Sequence, residues 1–313
     1  MLTTVVGSFP IELKKPQSTK DKILNILGGY NPYKLAIEDA VINQLNAGID
    51  IVSDGQVRGD MVTSFAKFIP GMKVEGTTTT IFSKIKPHYK PITTKDIAYA
   101  QKILKTHTSQ SYLSGEKGVK GLITGPSTIV YSSRIESFYK SKNEAILDLA
   151  LALKFEAEAL EQQKVKYIQI DEPFLSTGMV DMTVAKKAIE IITKNLKIPV
   201  AMHVCGDLKE VFPELTKFNI DILDCEFAGN NINIKVLEEH AKLLEGKKLG
   251  FGCLDTTLNQ VDDKEKTIKL IERGIKAVGQ ENIILDPDCG MRKLDKKIAF
   301  KKLELMTSIK NNI

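Results

Sequence analysis

Tyr167-Ile168-Gln169-Ile170-Asp171-Glu172-Pro173 and, downstream, Val200-Ala201-Met202-His203-Val204-Cys205 are two apolar runs of strand length, each ending in polar residues. Between them, residues 184–196 repeat their apolar positions with a helical period. A strand, a helix and a second strand in this order imply parallel pairing, because the helix carries the chain back to the end from which it started. The same rhythm recurs on either side, with candidate strands at 3–8, 49–53, 119–124, 222–225, 249–253 and 283–285 and a further long helix at 143–163. These units predict an α/β fold of the (β/α)8 TIM-barrel type. One interval is irregular. Residues 56–118, with a threonine run at 77–80 and a helical stretch at 96–105, read as an insertion after the second strand, on the catalytic face. No Ser-, Pro- or Gly-rich linker flanks it, so 1–313 is expected to form a single domain.

Composition is that of an ordinary globular protein: 42% of the 313 residues are hydrophobic and 27% charged, ample for a core and too mixed for disorder. Net charge is +5, but the lysines are scattered along helix-like segments without a dense basic tract or interleaved aromatics, which points away from nucleic acid. No run approaches the roughly 18 apolar residues needed to cross a bilayer, and the first ten residues lack a basic leader pattern, so a cytoplasmic location is expected. All four cysteines fall after residue 204, which suits metal binding or catalysis better than a disulfide framework.

In a barrel of this type chemistry takes place at the carboxyl ends of the strands, and the polar motifs fall there. Ser8 ends the first strand, Asp54-Gly55-Gln56 the second and Asp171-Glu172-Pro173 the fourth; Gly125-Pro126 follows the third. His203 and Cys205 end the fifth, Glu226 the sixth, and Asp255 and Cys289 follow the seventh and eighth. The single residue between His203 and Cys205 throws both side chains onto one face of an extended strand. Cys289, in Asp286-Pro287-Asp288-Cys289-Gly290, sits in a tight turn. Cys225 must point opposite to its neighbour Glu226, hence outward into the layer between strands and helices; Cys253 reads as strand core. Of the other histidines, His240 and His107 read as helix-surface residues, and His88 is the only further one to consider near a site. A mixed nitrogen, oxygen and sulfur set (His203, Cys205, Glu226, Cys289) suits Zn2+ better than magnesium or calcium. Two thiolates, a carboxylate and a neutral imidazole give such a zinc site a charge of about −1, which favours holding a substrate thiol as a thiolate over activating water.

These motifs, together with Val6-Gly7-Ser8-Phe9-Pro10, Arg58-Gly59-Asp60-Met61-Val62 and Thr124-Gly125-Pro126, occur in the same order as in the catalytic half of cobalamin-independent methionine synthase, which the chain resembles over nearly its whole length. The resemblance implies zinc at the positions of His203, Cys205, Glu226 and Cys289 and methyl transfer to L-homocysteine. It also implies that Val6, Gly7 and Ser8 hold the substrate carboxylate and Asp171 its ammonium group, with Asp171 and Glu226 in the catalytic centre. Four departures stand out. The chain lacks the additional amino-terminal barrel of the long members and so resembles the shorter archaeal-type proteins. Gln56 stands where the longer enzymes carry a substrate-binding glutamate, Tyr131 is the nearest match to an absent tryptophan, and Thr257 replaces a proton-donating histidine. Without that acid a pterin is a poor leaving group, whereas a corrinoid leaves as cobalt(I) and needs none. The expected donor is therefore methylcobalamin or a methylated corrinoid protein, ahead of a methylated folate or methanopterin. Two rivals follow from the same residues: a zinc enzyme acting on another thiol such as coenzyme M, and a non-catalytic zinc-binding or corrinoid-partner barrel.

Overall fold

Short inward–outward alternating runs, each followed by a helix, build a curled parallel sheet in the computed structural model, which describes residues 1–108 and 117–313. Twelve strands occur among these residues: β1 (Leu2–Thr3), β2 (Ile51–Val52), β3 (Met72–Glu75), β4 (Thr78–Ile81), β5 (Gly118–Val119), β6 (Gly121–Thr124), β7 (Ser133–Ile135), β8 (Ile168–Asp171), β9 (Val200–Val204), β10 (Ile222–Glu226), β11 (Lys248–Gly252) and β12 (Ile283–Asp286). Seven of them pair in the order β1-β12-β11-β10-β9-β8-β6, every adjacent pair parallel, so the first strand lies against the last. A separate parallel pair joins β2 to β5, and a bridge ties Thr4 to Ile51. The coarse fold expected from the sequence, α/β with a curled parallel sheet, is what forms.

The period of two sorts the side chains. Met202 and Val204, Leu223 and Cys225, Ile168 and Ile170, and Ile283 and Leu285 face outward into one large apolar layer beneath the helices. Ala201, Ile222, Tyr167 and Ile284 face inward and make a small apolar plug with Leu2 and Ile51. One step further along the strands the inward positions turn polar. Register places Thr124, Asp171, His203, Asp224, Gly250 and Ile284 side by side across six neighbouring strands. Three ionisable groups therefore share one level of the sheet interior, next to a glycine. A Cβ on Gly250 would stand 2.6 Å from the Asp224 Cβ, so only glycine leaves the carboxylate its place.

Helix boundaries follow the caps. Ser141 accepts from Glu144 N and starts the helix Lys142–Gln162, and Asp181 accepts from Thr183 and Val184 N to start Met182–Thr193, earlier than apolar spacing alone suggests. Within 56–118, the threonine run becomes β4, hairpin partner of β3 and parallel partner of β7. The helix Thr94–His107 packs on Pro32–Asn46 and β5 like the other outer helices. No helix among the described residues is long and apolar enough to cross a membrane.

Candidate active site and metal centre

An open cleft of about 720 Å³ lies at the carboxyl ends of the strands, and Val6, Ser8, Gln56, Asp171, His203, Cys205, Glu226, Thr257 and Cys289 all line it. Gly7 lies just behind, its carbonyl accepting from the Ser53 hydroxyl at 2.6 Å. Residues 283 positions apart in the chain thus meet at a single opening, as the strand-end placement predicts. His88 does not join them; it stacks on Phe68, with ring centroids 6.3 Å apart. Tyr131 is likewise elsewhere, its hydroxyl donating to Met179 O at 2.7 Å and its ring 5.9 Å from that of Phe174. His240, read as surface, is half-buried with its ring against Phe212.

At the floor of the cleft one ring nitrogen of His203 and the sulfurs of Cys205 and Cys289 lie within 4.8 Å of one another. Alternation explains the first two: His203 faces the interior, Val204 faces the helices, and Cys205 faces inward again just past the end of β9. Cys289 arrives from the turn after β12, and Asp288 holds that turn. Its buried carboxylate accepts from the backbone N–H of Phe227, Ala228 and Gly229 at 2.9, 3.0 and 2.6 Å, stitching the β12 turn to the β10 loop. On the other side Met291 N donates to Ser8 O at 2.8 Å. A Cβ on Gly290 would meet the Ser8 hydroxyl at 2.3 Å, so the turn can lie this close only with glycine there. Glu226 shares the cleft but stands outside the tight three-residue cluster; burial raises its carboxyl pKa, against a backbone N–H from Gly206.

The electrostatics of the trio are those of a cation site. The two sulfurs are 4.0 Å apart. Such a pair sheds its first proton easily and its second with difficulty: the Cys205 S–H pulls the Cys289 thiol down, while the Cys289 sulfur and burial push Cys205 up. Placing a divalent cation between the thiols removes that repulsion. His203 is 2% exposed, and its Nε2 has no hydrogen-bond partner among the described residues. A buried orphan nitrogen is costly unless something not made of protein fills the gap. Nδ1 stands 3.1 Å from Asp224 Oδ1, at ion-pair distance though not aligned as a hydrogen bond. Burial opposes protonation of the ring, yet Asp224 outweighs it and holds the His203 pKa well above its usual value. A carboxylate behind Nδ1 favours a proton on that nitrogen, which leaves Nε2 as the one available to a metal. Asp224→Asn is therefore expected to weaken metal binding about 10- to 100-fold without unfolding the sheet, measurable by chelator competition.

Asp171 faces the same cleft from β8. Oδ1 accepts from Gln169 Nε2 at 2.7 Å, and Oδ2 from Gln56 Nε2 at 3.4 Å. Gln169 also donates to Val6 O at 2.8 Å, and its Oε1 accepts from the fully buried Lys120 ammonium at 2.5 Å. A donor-only ammonium on that oxygen leaves the amide no choice of orientation. Sequence reading passed over Lys120 and Gln169 as ordinary strand residues. Their inward parity was the available signal. The neighbouring Glu172 points the other way and caps the helix Pro126–Tyr131, accepting from Ser127 and Thr128 N. Asp171 is thus free of a capping role.

The sequence profile of the family described as "Cobalamin-independent synthase, Catalytic domain" matches residues 1–312. A methionine synthase of Methanothermobacter thermautotrophicus is 49% identical over 314 residues, covering 100% of both chains. That of Methanothermobacter marburgensis is 48% identical over 308 residues, covering 98% of each. Among solved structures, a B12-independent methionine synthase from Shewanella sp. W3-18-1, in complex with selenomethionine, superposes with a TM-score of 0.81 at 24% identity, over 99% of this chain and 96% of that one. At that identity the likeness speaks for the fold.

Proposed function

Because this chain belongs to the family of the cobalamin-independent synthase catalytic domain, we propose a division of labour in which one wall of the cleft holds zinc and the other an amino acid. The protein is a methyltransferase that moves a methyl group to the sulfur of L-homocysteine, giving L-methionine. The observation that carries the assignment of the site is the convergence of His203, Cys205 and Cys289 beside Asp171. His203, Cys205 and Cys289 are the zinc ligands, and Glu226 completes the set from the rim. Two thiolates on one tetrahedral zinc at ~2.3 Å stand roughly 3.8 Å apart, close to the 4.0 Å between these sulfurs. When bound, zinc keeps a substrate thiol deprotonated near neutral pH.

The protein's own residues do the rest. Asp171 receives the substrate ammonium through charge-assisted hydrogen bonds, with Gln56 beside it, and Val6, Gly7 and Ser8 take the carboxylate. This fixes the sulfur at the cluster and leaves the outer cleft for the donor, so that the S–C bond forms in line as the donor–methyl bond breaks. The donor we favour is methylcobalamin or a methylated corrinoid protein. Thr257 supports this reading: its hydroxyl is engaged with Asp255 Oδ1 at 2.6 Å and is too weak an acid to protonate a departing pterin. The strands are best read as one closed (β/α)8 barrel forming a single domain over 1–313, with additions within 56–118. The Thr4–Ile51 bridge and the β2–β5 pair support closure. A cytoplasmic, reducing setting suits the four free cysteines.

The test combines zinc-edge X-ray absorption with a transfer assay offering methylcobalamin, methyl-folate and methyl-methanopterin in parallel. Homocysteine should add one sulfur to the zinc shell, and the corrinoid should be the best donor. An unchanged sulfur count would instead indicate a closed, structural site.

A further inference from the structure

Gln56 is built unlike its neighbours. Its backbone is left-handed, with φ of 47°, one of two non-glycine residues with positive φ among those described. Such a conformation is costly for a residue with a Cβ and persists only where the surroundings hold it. The turn before it is well tied: Gly55 N donates to Ser53 Oγ at 3.1 Å, and Gln56 N to Asp54 Oδ1 at 2.9 Å. On the far side one strong tie appears, a hydrogen bond from the Arg292 guanidinium to the Gln56 carbonyl. Arg292 is half-buried in the cleft wall, three residues beyond Cys289, and Asp54 and Asp60 act on it only from further off. A guanidinium spent on a neutral carbonyl is a clamp on the backbone.

What the clamp fixes is the Gln56 side chain. The amide packs over Gly7, where an added Cβ would stand 3.0 Å from Gln56 Cδ, and reaches Asp171 Oδ2 at 3.4 Å, the outer limit of a hydrogen bond. Gln169 on the other oxygen is locked by Lys120, whereas nothing comparable locks the Gln56 amide. Its aim depends on its backbone. We propose that Arg292 is a positioning residue for the amino-acid substrate: by holding the Gln56 carbonyl it keeps the Gln56 amide against Gly7 and Asp171, where the ammonium binds. The clamp also joins the loop bearing Cys289 to the loop bearing Gln56. This rests on the assignment of Asp171 to the ammonium group.

The experiment uses the zinc-loaded protein and its Arg292→Met, Arg292→Lys, Gln56→Ala, Arg292→Met/Gln56→Ala and Asp171→Asn variants. The Arg292→Met substitution should raise the KM for homocysteine about tenfold, the loss expected for one hydrogen bond from a charged donor. Zinc content, kcat and the KM for the donor should stay within about threefold. Arg292→Lys should recover part of the loss, and the double variant should be no worse than Gln56→Ala alone, since the two act through one contact. A rise in the donor KM instead, or penalties that multiply, would overturn the proposal. Should Arg292→Met fail to fold, Arg292→Gln, whose shorter neutral side chain cannot replace the guanidinium at the Gln56 carbonyl, carries the test, with an unchanged homocysteine KM counting against the clamp. If Asp171→Asn leaves homocysteine binding intact, it is the underlying assignment of the ammonium site that fails.

Discussion

Replacing Cys205 or Cys289 with serine is expected to weaken zinc binding and methyl transfer together, each by about two orders of magnitude. Zinc held by four protein ligands in small domains is worth roughly 10–16 kcal/mol, so one thiolate carries about 3 kcal/mol, more than a hundredfold in affinity. A serine hydroxyl does not ionise near neutral pH and is no replacement. The remaining thiol would also lose the partner that shapes its acidity, because each sulfur sets the other's ionisation across 4.0 Å. Metal content by emission spectrometry, read beside initial rates on the same samples, checks the coupling. Cys225→Ser is the natural control. That thiol points into the outer apolar layer and is fully buried, so the change should cost about 1–2 kcal/mol of stability by burying a hydroxyl and leave zinc content unchanged. Metal-dependent transfer undiminished in both ligand variants would sink the assignment.

Asp171→Asn should raise the KM for homocysteine about a hundredfold, the scale for removing one charge from a buried hydrogen-bonded pair, while zinc stays bound. The effect should be selective. A thiol with a sulfonate in place of the amino-acid end offers no ammonium to Asp171, so its transfer rate should barely change, which separates homocysteine from coenzyme M as the acceptor. The wild-type protein should approach the variant as the pH falls. Burial pushes the Asp171 carboxyl up to about 6, against the pull of His203 and Gln169. Below that pH the group is neutral and has no charge to offer, so kcat/KM for homocysteine should drop as pH falls through about 6, and Asp171→Asn should be flat over the same range. A pH profile unchanged by the substitution would place the titrating group elsewhere.

The meeting of His203, Cys205, Cys289 and Asp171 at one opening was legible in the sequence because each stands at or just past a strand end, and alternation along a strand is a hard rule: given His203 facing inward, Cys205 faces inward too. The outward place of Cys225 came from the same rule. Less legible were the residues one layer behind. Lys120 and Gln169 look like imperfect strand core, and Asp286 like the opening of a turn; only the meeting of neighbouring strands shows that they share one interior. Asp286 is buried, and neither of its carboxylate oxygens has a hydrogen-bond partner among the described residues; burial together with Asp224 holds its pKa well above the usual carboxylate range. The hairpin of β3 and β4 has no signature in the sequence, because three threonines and an isoleucine offer no alternation to read. The Arg292 contact is a loop-to-loop match across most of the chain, which no local pattern encodes.

The pairing of β1 with β12 has a consequence for biogenesis. Ser8 precedes Cys289 by 281 residues in the chain, yet the two loops close on each other. A nascent chain therefore carries His203 and Cys205 for a long interval without their third partner. The three-residue cluster can close only after residue 289 has been made, and a fragment truncated before it lacks one of the two sulfurs.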